Sequence, residues 1–140
     1  MNVLVDTNVV VSAALRDRLP ERVVLFITTS DHCRWLVTTE ILDEYLGVLR
    51  RPKFKLDVET IDQWTSLLAL RTVQVGSPPI LPTFPRDPKD VPFLAAALFS
   101  QADLLVTGDR DLLNAHGIVP TRIISAAQFA AEFIPPDWTC

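Results

Sequence analysis

Asn2-Val3-Leu4-Val5-Asp6-Thr7-Asn8-Val9-Val10-Val11-Ser12-Ala13-Ala14 opens the protein with an apolar run, an acidic turn, and a second apolar run. Residues 2–5 read as a short β-strand that stops at Asp6-Thr7-Asn8, and Val9 to Leu15 read as a helix. Strand, acidic turn, helix is therefore the first unit. Much later, Asp103-Leu104-Leu105-Val106 reads as another strand, ending in Thr107-Gly108-Asp109, with a short helix beginning near Asp111.

Between these two stretches, strands and helices alternate. Pro20 fits the first turn of a helix through Ser30, and Trp35-Leu36-Val37 forms a strand. Thr38-Thr39 caps a helix from Glu40 to Arg51, which Pro52 stops. Val58, Ile61, Trp64, Leu67 and Leu68 recur at helical spacing across Asp57 to Leu70, and Thr72 to Val75 reads as the next strand. Pro78, Pro79, Pro82, Pro85 and Pro88 make Gly76 to Pro88 an extended surface connection. A helix from Asp90 to Gln101 follows. Beyond the acidic turn at 107–109 come a strand at Arg122-Ile123-Ile124 and a helix capped by Ser125 that runs to Phe133. Strands alternating with helices predict βαβ units: an α/β fold with a mainly parallel sheet, helices on both faces and right-handed crossovers. One domain spanning residues 1–140 is expected, since no second core follows the proline-rich stretch.

Composition narrows the function. With 49% hydrophobic and 21% charged residues over 140 positions, the chain has the balance of an ordinary globular domain. No apolar run approaches the ~18 residues of a membrane span, and no signal peptide is evident, so a cytoplasmic protein is expected. Cys33 and Cys140 stand apart from each other and from any His at ligand spacing, which argues against a disulfide framework or a zinc site. A net charge of −4, taken alone, argues against nucleic acid. The placement of the acids changes that reading.

In an open parallel sheet, ligands bind beyond the carboxyl ends of the strands. Asp6 and Asp109 directly follow strands, while Glu44 and Asp90 lie near the starts of helices, on the same edge. Carboxylates crowded together repel and favour protonation unless a cation neutralises them. An all-oxygen donor set suits Mg²⁺ or Mn²⁺, ions suited to phosphodiester hydrolysis with no protein nucleophile. The ion's charge also reverses the local field, so an acidic chain is able to take RNA.

VLVDTNVVVSA at 3–13, TTEILDEYLGVLRRPKF at 38–54, RDPKDVPFLAAAL at 86–98 and ADLLVTGDRDLL at 102–113 resemble, in order and spacing, the motifs of the PIN-domain family. The nearest subgroup is that of the VapC-like toxin components of bacterial and archaeal toxin–antitoxin pairs. The resemblance implies a three-layer α/β/α sandwich with sheet order 3-2-1-4-5, metal-dependent endoribonuclease activity, a homodimer, and inhibition by a small antitoxin. It matches Asp6, Glu44, Asp90 and Asp109 to the four metal-binding acids, with Asn8 and Thr107 as supporting polar groups and Asp111 and Asp87 as outer candidates. Glu40 lies one turn from Glu44 and competes for the second position; Glu44 is preferred because it borders the stripe of Ile41, Tyr45 and Val48.

Each residue also has a plainer reading. Asp6, Asp90, Asp109 and Asp111 suit helix N-caps, and Glu40 suits a solvated first turn. Arg50, Arg51, Lys53 and Lys55 form the one dense basic cluster, open to RNA phosphates but also natural at a helix C-terminus. His32 and His116 fit surface or capping roles, and Trp35, Trp64 and Phe99 fit the core. Two other functions compete: a non-catalytic module that binds RNA or a protein, and a haloacid-dehalogenase-type phosphatase. The phosphatase wants a second acid two residues after the first, where Asn8 stands.

Overall fold

The computed structural model describes residues 1–76, 90–115, 117 and 119–139. Five strands, β1 (Asn2–Val5), β2 (Arg34–Val37), β3 (Thr72–Gln74), β4 (Leu104–Val106) and β5 (Arg122–Ile124), form one sheet in the order β3-β2-β1-β4-β5. Every pairing is parallel, with Val3 opposite both Trp35 and Leu104. Among the described residues, seven α-helices, α1 (Thr7–Ala14), α2 (Arg18–Thr29), α3 (Thr39–Leu49), α4 (Val58–Arg71), α5 (Val91–Ser100), α6 (Arg110–Leu113) and α7 (Ala126–Phe133), flank it. The result is the α/β/α layering and strand order expected from the resemblance.

Burial explains the continuous apolar strands. Val3, Leu4 and Val5, and likewise Leu104, Leu105 and Val106, are buried at successive positions, so both faces of the sheet are covered. A strand facing water on one side would alternate. The edge strand β3 is exposed at Val73 and Gln74, in keeping with its polar composition.

Local chemistry sets the helix ends. Thr38 Oγ1 accepts from the Ile41 amide at 3.1 Å, and Asp57 Oδ1 accepts from Thr60 at 2.7 Å. Ser125 and Gln128 form a reciprocal capping box at the start of α7. Helix α3 stops at Leu49, two residues before the expected end, because Pro52 pushes Arg51 into an extended conformation (φ −66°, ψ 131°). Pro52–Phe54 then forms a separate 3-10 turn.

Aromatic packing corrects one expectation. Trp35 is buried and Trp64 packs partly against the core, but Phe99 is 50% exposed. Phe99 lies in the last turn of α5, past the run of buried residues Phe93 to Ala97, where the helix leaves the core. The C-terminal segment is held by Arg22, which donates to the Trp138 carbonyl at 2.8 Å while its guanidinium lies 5.2 Å from the Trp138 ring centre. The proline-rich connection and His116 lie outside the described residues.

Candidate active site

The sheet order places β1 between β2 and β4, so the connections leaving β1 and β4 diverge and open a crevice at their carboxyl ends. Asp6 leaves β1 at that crevice; its amide donates to the Val106 carbonyl at 2.9 Å, extending the ladder one residue past the strand. It occupies the N-cap position of α1, yet its side chain makes no capping bond. Its carboxylate instead accepts from Thr107 Oγ1 at 2.7 Å, beyond the end of β4. The plain capping reading of Asp6 therefore does not describe its geometry.

Thr107 is fully buried and works in both directions: its hydroxyl donates to Asp6 and accepts from the Asp109 amide at 3.0 Å. Asp109 Oδ1 accepts from the Asp111 amide at 2.8 Å, so Asp109 is the cap of α6 and Asp111 lies within its first turn. Asp90 opens α5 and is 4% exposed, without a side-chain capping bond. Carboxylate oxygens of Asp90, Asp109 and Asp111 lie within 4.8 Å of one another.

Glu44 comes in from the second turn of α3, where Thr7 Oγ1 donates a short hydrogen bond to its Oε2. The next residue, Tyr45, is fully buried, donates to the Val5 carbonyl, and accepts from Trp35 Nε1 at 3.4 Å. A single helix thus presents Glu44 to the crevice and ties itself to the strand end that carries Asp6. Thr7 and Tyr45 were not singled out from the sequence; their signal was adjacency, a hydroxyl directly after Asp6 and another directly after Glu44.

A cleft of about 290 Å³ is lined by Asp6, Glu44, Asp90 and Asp109, with Asn8 at its exposed rim and Phe93 and Val48 as apolar wall. Glu40 is exposed and does not line it, Asp111 stands beside it with Asp90 and Asp109, and Asp87 lies outside the described residues. The basic cluster divides. Arg51 and Lys53 line the acid cleft, whereas Arg50 donates to the Leu46 carbonyl at 3.1 Å and Lys55 faces a separate hollow beside α4. That second hollow is larger, about 680 Å³, but none of the four acids lines it.

Electrostatics follow from crowding. Burial pushes the Asp6 carboxyl above its ordinary range, and the charges of Asp109 and Glu44 push it further, against hydrogen bonds from Thr107 and the Thr7 amide. Burial likewise raises the Tyr45 phenol, so it remains a neutral donor. A half-buried set of carboxylates, with no His or Cys in the lining among the described residues, fits a hard divalent cation.

A family model described as PIN domain matches residues 2–111. Among solved structures, the chain is similar to one described as VapBC2 from Rickettsia felis bound to a DNA fragment from the promoter. The TM-score is 0.56 at 16% identity, over 89% of this chain and 97% of that one. No curated protein matches the chain. Among the described residues, no helix is long and apolar enough to cross a membrane.

Proposed function

Since the chain belongs to the PIN-domain family, we propose that it is a metal-dependent endoribonuclease, the toxin of a toxin–antitoxin pair. The observation that carries the reading is the meeting of four carboxylates from separate elements, Asp6, Glu44, Asp90 and Asp109, in one small cleft. These four residues would hold Mg²⁺ or Mn²⁺, with Asp111 as a secondary donor. When bound, the ion supplies Lewis acidity toward the phosphodiester and acidifies water for attack on phosphorus.

The chain's own groups set the geometry. Thr107 orients the Asp6 carboxylate and, through the Asp109 amide, fixes the turn after β4. Thr7 orients Glu44, and Tyr45 holds α3 against the end of β1. Phe93 and Val48 give the cleft an apolar stretch of wall, which strengthens charge interactions beside it. The reading also includes a homodimer and a small antitoxin that blocks the cleft until it is removed. The structural likeness to a toxin–antitoxin complex supports that partner.

The test is incubation of purified protein with single-stranded RNAs and matched DNAs in Mg²⁺, Mn²⁺ or EDTA, beside Asp6→Asn and Asp90→Asn. Metal-dependent RNA cleavage lost in both variants is expected. Uncut RNA with folded, antitoxin-free protein would replace this reading with a non-catalytic module. Cleavage undiminished in both variants would overturn the acid-cluster mechanism.

A further inference from the structure

Arg51 and Lys53 reach the acid cleft from the 3-10 turn that follows α3 and line it together with Asp6, Glu44, Asp90 and Asp109. Two cations in the same 290 Å³ cleft as four carboxylates would ordinarily pair with them. Among the described residues, neither Arg51 nor Lys53 makes an ion pair. Both side chains are exposed, and the Lys53 ammonium rests 5.0 Å from the Phe54 ring centre. Among the described residues, the cleft thus carries carboxylates and two cations that form no ion pair with each other.

Their sequence neighbours serve as internal comparisons. Arg50 is spent on the last turn of its own helix, bonded to the Leu46 carbonyl. Lys55 adopts a left-handed conformation (φ 51°) where the turn closes, and it lines the hollow on the other side of Phe54. Four adjacent basic residues of similar chemistry therefore face three different surroundings, and only two of the four line the acid cleft.

We propose that Arg51 and Lys53 hold the phosphates of single-stranded RNA on either side of the bond that is cut. The proposal rests on the ribonuclease reading and assigns its substrate contacts. The acids, neutralised by cation, face the reacting phosphate, and the flanking phosphates take Arg51 and Lys53. Arg51 offers a planar fork suited to two phosphate oxygens; Lys53 offers a point charge on a flexible stem. Neither is an obligatory structural group: Arg51 meets the fold through its backbone, accepting from the Phe54 amide at 3.1 Å and donating to Val48 at 3.0 Å.

The experiment measures binding and cleavage separately. Binding of a fluorescein-labelled single-stranded RNA 20-mer is followed by anisotropy in Ca²⁺ across a salt series, and cleavage is followed in Mn²⁺. Arg51→Ala and Lys53→Ala are each expected to weaken binding about 3- to 10-fold and to flatten the slope of log K against log salt by about 0.7, one phosphate contact on a single strand. KM should rise while kcat changes less than about 3-fold, and Arg51→Lys and Lys53→Arg should restore most of the salt slope. Arg50→Ala and Lys55→Ala should leave both slope and affinity within about 2-fold of wild type.

Equal losses at all four positions would overturn the proposal in favour of diffuse charge attraction. An unchanged slope in Arg51→Ala and Lys53→Ala, or RNA that fails to bind the wild-type protein, would also overturn it. RNA bound through these two residues but left uncut in Mn²⁺ would sustain the phosphate contacts while removing the nuclease reading, so the two failures are distinguishable. Circular dichroism and melting temperature, both expected unchanged, separate lost contacts from lost fold.

Discussion

Replacing Asp109 by Asn should make the metal-free protein more stable while weakening its response to metal. One carboxylate oxygen of Asp109 lies within 4.8 Å of one on Asp90 and one on Asp111, and its charge also raises Asp6. At 4.8 Å two unit charges repel by about 0.9 kcal/mol in water and about 3.5 kcal/mol at an effective dielectric of about 20. Asp109 is half-buried and Asp111 exposed, so their pair lies near the lower figure, about 1 kcal/mol, and with Asp90 buried the same value is a floor for the second pair. Removing one charge from two pairs then stabilises by at least about 2 kcal/mol, or about 6 °C in melting temperature for a chain of this size. Asn retains an oxygen able to accept from the Asp111 amide, so the cap of α6 survives.

The assay is thermal unfolding of wild type and Asp109→Asn, in EDTA and in a saturating series of Mg²⁺ or Mn²⁺ at low salt. Metal at about 100 times its Kd should stabilise the wild type by about 2.7 kcal/mol, and the variant by clearly less. The order of the two melting temperatures should therefore reverse between EDTA and metal. A variant that melts at or below wild type in EDTA would refute the like-charge reasoning. An equal metal response in both proteins would refute a shared site at Asp109.

Three further outcomes are expected. Glu44→Gln should lower RNA cleavage by about 100-fold or more, while Glu40→Gln stays within about 2-fold, in a single-turnover assay with Mn²⁺; equal effects would mean that α3 turns a different face to the substrate. Tyr45→Phe removes the hydroxyl that holds Val5 and receives Trp35, so urea unfolding should show a loss of about 1–3 kcal/mol, with kcat falling more than KM rises. The Asp6 carboxyl titrates above its unfolded value of 3.8, so ionising it costs stability; that cost is absent below about pH 4, grows as pH rises through the folded pKa, and is constant above it. In metal-free buffer the stability advantage of Asp6→Asn over wild type should accordingly be small at pH 3.5 and largest near neutrality, and a gap that narrows with rising pH would contradict this.

The sequence by itself determined the fold class and the order of the elements, and it offered a set of candidate acids. Short apolar runs such as Val3-Leu4-Val5 and Leu104-Leu105-Val106, each followed by an acidic turn, were legible because period and punctuation are local properties. Their position beyond strand ends was enough to place Asp6 and Asp109 at one edge of a parallel sheet. The helical angle relative to Ile41, Tyr45 and Val48, with the spacing to VLRRPKF, favoured Glu44 over Glu40 without deciding between them; in the fold Glu44 lines the cleft and Glu40 is exposed.

What only the tertiary structure decided were relations between distant residues. That Asp6 turns from its own helix to Thr107, 101 positions away, depends on the parallel pairing of β1 with β4. The same holds for Thr7 with Glu44 and for Tyr45 with Val5, links that span 37 and 40 positions. Phe99 was misread because an apolar residue on a helix rich in Ala and Leu has no local mark of where the helix leaves the core. The four basic residues at 50–55 look alike as letters; a proline-driven turn separates their surroundings, and it is the packing of that turn between two hollows that gives Arg51 and Lys53 their place.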